Sequence, residues 1–208
     1  MTRRSSRRSA FRIWPLLLSG VCGAAGATHG ATAAEVRRET LALDSARSQA
    51  GFEVRVMWLI GVRGRFGTLR GTIDIDRFRG NASVNARIDV NDVHMRSASN
   101  EAWVKSAEFF DAEHYPQIQF VSDSFPLVWL KSGGQIEGML TIRGVTRHAN
   151  FDLAASACPD AIARACPTEA GGTIRRSDFG MHSRRGALSD KVQLDFSIYV
   201  LPVAEAAR

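Results

Sequence analysis

Metal or acid–base chemistry would be carried by histidines and carboxylates, so their spacing comes first. Of the five histidines, His94, His114, His148 and His182 lie beyond the N-terminal region. None stands from another at the i, i+2 spacing of one strand or the i, i+4 spacing of one helix, the spacings that bring two imidazoles to one metal. The carboxylates pair as Asp74 with Asp76, Asp89 with Asp92 and Asp111 with Glu113. Residues two apart on a half-buried strand share a face, and the polar face is the wet one. An acid–base pair needs one carboxyl in an apolar pocket, so these pairs read as solvated acids. No serine stands in a Gly-x-Ser-x-Gly elbow. Asp178-Phe179-Gly180 has three letters of a kinase element and no other part of one. Gly61, Gly64, Gly67 and Gly71 lack the Gly-x-Gly-x-x-Gly order and read as bend and hairpin glycines. No catalytic residue, metal ligand or cofactor is assigned on these grounds.

The N-terminus carries a different signal. Arg3, Arg4, Arg7, Arg8 and Arg12 form a basic region, followed by an apolar stretch from Ile13 to Ala27 and a small-x-small site, Ala31-Thr32-Ala33. These are the three parts of a secretory signal, with cleavage expected before Ala34 and residues 1–33 removed. The apolar run holds Pro15 and glycines and falls short of the ~20 residues of a membrane span. Cys22 follows Val21, not the small residue that lipidation expects, and Arg7-Arg8 with Phe11 is one residue out of register for a twin-arginine signal.

Removal of the signal changes the charge. The chain has 27 Lys+Arg and 21 Asp+Glu. Loss of the five arginines leaves 22 against 21, close to neutral. A nucleic-acid partner needs a basic field, and the processed chain would not have one. In an oxidising compartment Cys158 and Cys166, eight residues apart, are expected to pair.

The elements that would position any site are strands. Phe52, Val54, Val56 and Trp58 alternate with Glu53, Arg55 and Met57; Ile73 and Ile75 alternate with Thr72, Asp74 and Asp76. Val84, Ala86, Ile88 and Val90 follow the same rule, then Ile118 and Phe120, Ile136, Leu140 and Ile142, Phe151 and Leu153, and Val192 to Val200. Period-two alternation places one face on an apolar interior and the other in water, which is the habit of antiparallel sheets. Gly80-Asn81, Gly133-Gly134, Gly144 and Gly171-Gly172 mark turns. Between Ser99 and Asp111, Glu101, Ala102, Lys105, Ala107 and Glu108 favour helix. Pro116 stops it, so one or two short helices are expected there. Ala155–Gly172 reads as a surface loop. About eight strands with short connections predict one all-β domain, a closed barrel or a sandwich. A barrel of that size is either filled by side chains or holds one small ligand.

Four segments in order resemble the YceI-like family. They are Leu43-Asp44-Ser45-Ala46-Arg47-Ser48 running into Phe52-Glu53-Val54-Arg55; Lys105-Ser106-Ala107-Glu108-Phe109-Phe110-Asp111 before Tyr115-Pro116-Gln117-Ile118; Leu140-Thr141-Ile142-Arg143-Gly144-Val145-Thr146; and Arg176-Ser177-Asp178-Phe179-Gly180-Met181. The resemblance implies an antiparallel lipocalin-like barrel over residues 34–208 with an elongated apolar tunnel. It also implies a periplasmic location, a polyisoprenoid, isoprenoid quinone or fatty-acid-like ligand, and no catalytic residues. The family often has Arg-Asp-x-His-Leu before its Phe-Phe segment. Here the run is Asn100-Glu101-Ala102-Trp103-Val104, which makes that position more apolar.

The expected lining is Phe52, Val54, Trp58, Phe120, Leu140 and Phe196 from the strands, with Trp103 and Phe110 closing one end. The expected partner is one long-chain apolar lipid, with no nucleic acid and no transmembrane segment after cleavage. A homodimer is compatible with the sequence. The rival readings are a filled barrel acting as a stress-related interaction protein, and an enzyme acting on a lipid inside the tunnel.

Overall fold

The computed structural model describes residues 38–158 and 165–201. Residues 1–33, expected to be a signal segment and containing Cys22, lie outside the described residues. Among the described residues the strands are β1 (Arg38–Ala42), β2 (Gln49–Val56), β3 (Ile60–Phe66), β4 (Leu69–Asp76), β5 (Asn81–Asp89), β6 (Val93–Met95), β7 (Gln117–Ser122), β8 (Phe125–Pro126), β9 (Gly134–Ile142), β10 (Val145–Leu153), β11 (Thr168–Arg175) and β12 (Leu188–Ile198). Two helices interrupt them, α1 (Ala98–Lys105) and α2 (Trp129–Ser132). The strands form one antiparallel sheet in the order β1-β4-β5-β7-β9-β10-β11-β12-β2-β3-β6, with β8 on β5. The sheet curls until the segment after β1 meets the tail of β12. There Leu43 pairs with Val200, and Leu201 N–H donates to Ala42 O at 2.9 Å. The fold is all-β and antiparallel as the alternation predicts, but twelve strands replace the expected eight. The surplus comes from short pieces such as β6 and β8, of three and two residues, too brief to show a period.

The interior faces of the strands supply the core. Ile73 and Ile75 of β4, Ile136, Leu140 and Ile142 of β9, and Phe151 and Leu153 of β10 are buried. Their polar alternates are mostly exposed, as in β9 and β10. The helical stretch is shorter than expected. α1 ends at Lys105, and Ser106 caps it, its hydroxyl donating to Trp103 O at 2.7 Å. α2 is a single turn of four residues, too short to leave a helical period in the sequence.

Two groups of glycines differ from the turn assignment. Gly61 and Gly64 lie within β3, and Gly171 and Gly172 within β11. A Cβ at Gly172 would come 2.6 Å from Phe151 Cδ1, so this glycine admits the neighbouring ring rather than turning the chain. The surface loop is correspondingly shorter, since β11 begins at Thr168. Cys158 and Cys166 are disulfide-bonded, with Cα atoms 6.2 Å apart.

The β2–β3 connection corrects the reading of Trp58. β2 ends at Val56, and Leu59 N–H donates back to Val56 O at 3.1 Å. Met57 and Trp58 take φ of 49° and 63°, both left-handed, in a three-residue loop between the paired Val56 and Ile60. The alternation therefore stops one rung early, and Trp58 points into solvent, 65% exposed. Left-handed backbone costs a residue with a side chain roughly 1–2 kcal/mol, and here two bulky residues adopt it.

Candidate functional site

The inward faces of the sheet enclose a cavity of about 240 Å³. One buried water needs roughly 10–15 Å³ on the same measure, so the space far exceeds a single-water void. Every long strand pair contributes. Phe52 and Val54 enter from β2, Phe120 from β7, Leu140 from β9 and Phe196 from β12. The β7–β9 register sets Phe120 directly against Leu140.

Two aromatic clusters shape the wall. Phe151 stands edge-on to both Phe120 and Phe196, with centroids 5.0 and 5.2 Å away. Phe52, Phe66 and Phe110 form a triangle with centroid distances of 5.5 to 6.2 Å. Phe110 comes from the segment after α1, so that segment reaches over β2 and β3. Trp103, from α1, is also in the wall and half-buried. Its indole N–H donates to Glu108 Oε2 at 3.0 Å, its ring meets Phe109 at 4.6 Å, and the Arg184 guanidinium lies over it at 4.7 Å. Position 103 thus joins the cavity to the surface.

Seven of the eight residues expected to line a tunnel therefore meet around one space. Trp58 does not, because of the turn geometry above. Sequence reasoning omitted Phe66, Phe151 and Arg176 from the lining. The first two alternate with polar neighbours and could have been found. Arg176 could not, since an arginine in an apolar wall runs against composition.

Among the described residues, the polar side chains of the wall are those of Asn100, Thr168 and Arg176. Arg176 is 2% exposed. Its guanidinium donates to four backbone carbonyls: Met181 and Ser183 at 2.7 Å, Ser189 at 3.0 Å and Leu188 at 3.3 Å. Burial pulls its pKa down, against the attraction of Asp190. These bonds tie the 176–189 segment together. With four of its five N–H donors so engaged, Arg176 organises the wall. Among the described residues the wall has no carboxylate, histidine, cysteine or lysine, and what its side chains offer is chiefly burial and dispersion.

The titratable groups singled out by spacing lie elsewhere. Asp74 accepts from the Thr40 hydroxyl, and Asp89 from Asn91 N–H. Asp76 accepts from the backbone N–H groups of Arg79 and Phe78, which hold it below the usual carboxylate range. The Thr68 hydroxyl and His94 do the same for Asp92. Asp111 bonds His114 at 2.8 Å and raises its pKa. On the outer sheet face Asp123, Glu137 and His148 bring one ligand atom each within 4.8 Å of one another. Their sequence spacing could not show this, because paired strands assemble the group. All three are solvent-exposed, where water competes for every ligand position.

The YceI-like domain family model matches residues 41–200. Protein YceI of Salmonella arizonae is 30% identical over 146 residues, covering 68% of this chain and 73% of that protein. BcnA of Burkholderia cenocepacia superposes with a TM-score of 0.64 at 22% identity, covering 77% of this chain and 99% of BcnA. A polyisoprenoid binding domain from Saccharophagus degradans, implicated in plant cell wall breakdown, superposes at 0.57 and 15% identity, covering 80% and 99%. The two structural likenesses bear on the fold alone; the sequence match over nearly the whole curled sheet carries the assignment, and the chain belongs to the YceI-like family.

Proposed function

We propose that the protein is a non-enzymatic carrier for one long apolar chain, a polyisoprenoid, isoprenoid quinone or fatty-acid-like lipid, held in the barrel cavity. The observation that carries this reading is the wall itself: an enclosed space lined by aromatic and aliphatic side chains whose one charged member is spent on backbone carbonyls. The polyisoprenoid-binding neighbour supports the same ligand class. Burial alone suffices as the driving force. Each CH₂ taken from water contributes about 0.8 kcal/mol, so ten contribute about 8 kcal/mol before the costs of association and ordering.

The carrier is exported, loses residues 1–33 and works in the periplasm, where a chain-like lipid between two membranes needs a soluble container. The test is uptake of a radiolabelled isoprenoid alcohol from dilute solution, followed by gel filtration. Stoichiometric co-elution is expected. No co-elution at any chain length overturns the reading in favour of a filled barrel that acts through protein contacts.

A further inference from the structure

The β2–β3 hairpin ends in four consecutive exposed apolar residues: Met57, Trp58, Leu59 and Ile60, at 60, 65, 88 and 63% exposure. A run of this kind is a defect in a soluble protein unless something covers it. The turn makes the display deliberate. Left-handed backbone favours Gly and Asn, yet Met57 and Trp58 hold two such positions in succession, and such strain gathers at functional segments.

The tip also has a charged rim. Met57 N–H donates to Ala187 O at 2.7 Å, which fastens the hairpin to the 182–187 segment and its exposed Arg184 and Arg185. Arg55, also exposed, lies just inside the turn. Among the described residues, none of these three arginines is ion-paired with a carboxylate. Arg184 lies over Trp103, and Arg185 bonds His182 at 2.5 Å. The acids on the α1 side are engaged, Glu108 by the Trp103 indole and Glu101 by Met95 N–H. At the opposite end of the barrel, exposed Phe78 also sits on a hairpin, but Arg77 and Arg79 beside it pair with Glu39 and Asp76. An apolar tip carrying a tryptophan, beside guanidinia that no carboxylate neutralises, matches the interface of an anionic bilayer, where indole sits at headgroup depth and arginine meets phosphate.

We infer that the Met57–Ile60 tip docks the protein on an anionic phospholipid surface, with the Trp103 end of the cavity facing the membrane. This rests on the carrier reading for its purpose, since a docked mouth would let a chain pass between leaflet and cavity, but not for its evidence.

The experiment is co-sedimentation of the processed chain, residues 34–208, with phosphatidylglycerol vesicles, compared with Met57→Asn/Trp58→Gly and Arg55→Gln/Arg185→Gln in the same processed form. The Asn-Gly pair relieves the turn, so that variant keeps its fold, which its melting temperature checks. Expected results are at least a tenfold loss of vesicle binding by the turn variant, and loss of the preference for phosphatidylglycerol over phosphatidylcholine by the arginine variant. Absent wild-type binding, equal binding by the turn variant, or a vesicle-free dimer that the turn variant dissolves would each overturn the inference. Vesicle binding is read without cavity ligand. A protein that takes up lipid but ignores vesicles refutes the docking and leaves the carrier standing, and the converse refutes the carrier alone.

Discussion

Phe52 and Gly64 face each other across the β2–β3 pair, and the Phe52 ring fills the space a side chain at position 64 would need. A Cβ there would lie 2.3 Å from Phe52 Cζ. The missing side chain lets the ring lie down against β3 and meet Phe66 and Phe110. One wall of the cavity is thus set by a glycine that makes no turn.

Gly64→Val is expected to force the Phe52 ring off its site. Overpacking of this kind costs about 1–3 kcal/mol. Denaturant unfolding will show a lower midpoint with an unchanged slope, and lipid uptake will fall alongside it.

Ala170 stands opposite Phe196 in the β11–β12 register and lines the cavity. Ala170→Phe places a ring in open space instead of packed core, so stability should change by less than about 1 kcal/mol. Uptake of a long-chain lipid is expected to drop at least tenfold. Retained uptake by a folded variant would mean that the ligand lies elsewhere.

Arg176→Met leaves four backbone carbonyls without their donor. Buried unsatisfied groups cost about 1–3 kcal/mol each before relaxation and water entry, so a loss of at least about 3 kcal/mol is expected in urea unfolding. Arg176→Lys should recover part of it, since an ammonium has three donors and no planar fork.

Asp190 gives the acid limb of stability. Burial pushes its carboxyl up, but the Ser177 hydroxyl and N–H, at 2.7 and 3.0 Å, and the Arg176 charge outweigh that and hold it below the ordinary value. A carboxyl lowered on folding adds stability above its unfolded pKa of about 3.9. That contribution is lost as pH falls through the folded pKa. Asp190→Asn should cost about 1–2 kcal/mol at pH 7 and flatten the decline below pH 4, measured as melting temperature against pH.

Much of the barrel is visible in the alternation, because one wet and one dry face leave a period of two. Phe120, Leu140 and Phe196 are placed by it without reference to any partner. Trp58 shows its limit: parity continues through a turn on paper, while the backbone reverses at Met57. Gly64 and Gly172 show another. A glycine that makes room for a cross-strand ring has the same letter as one that turns the chain, and only the pairing register tells them apart. The role of Arg176 is hidden for a third reason, because its partners are carbonyls, which no sequence reveals. The Asp123–Glu137–His148 group likewise exists only once strands are paired.

The most direct test of the carrier is a mass spectrum of the organic-solvent extract of protein purified without detergent. The account predicts one isoprenoid or acyl species at close to one per chain, and its loss from Ala170→Phe. An empty extract, together with no uptake of added lipid by the folded wild-type protein, would contradict it.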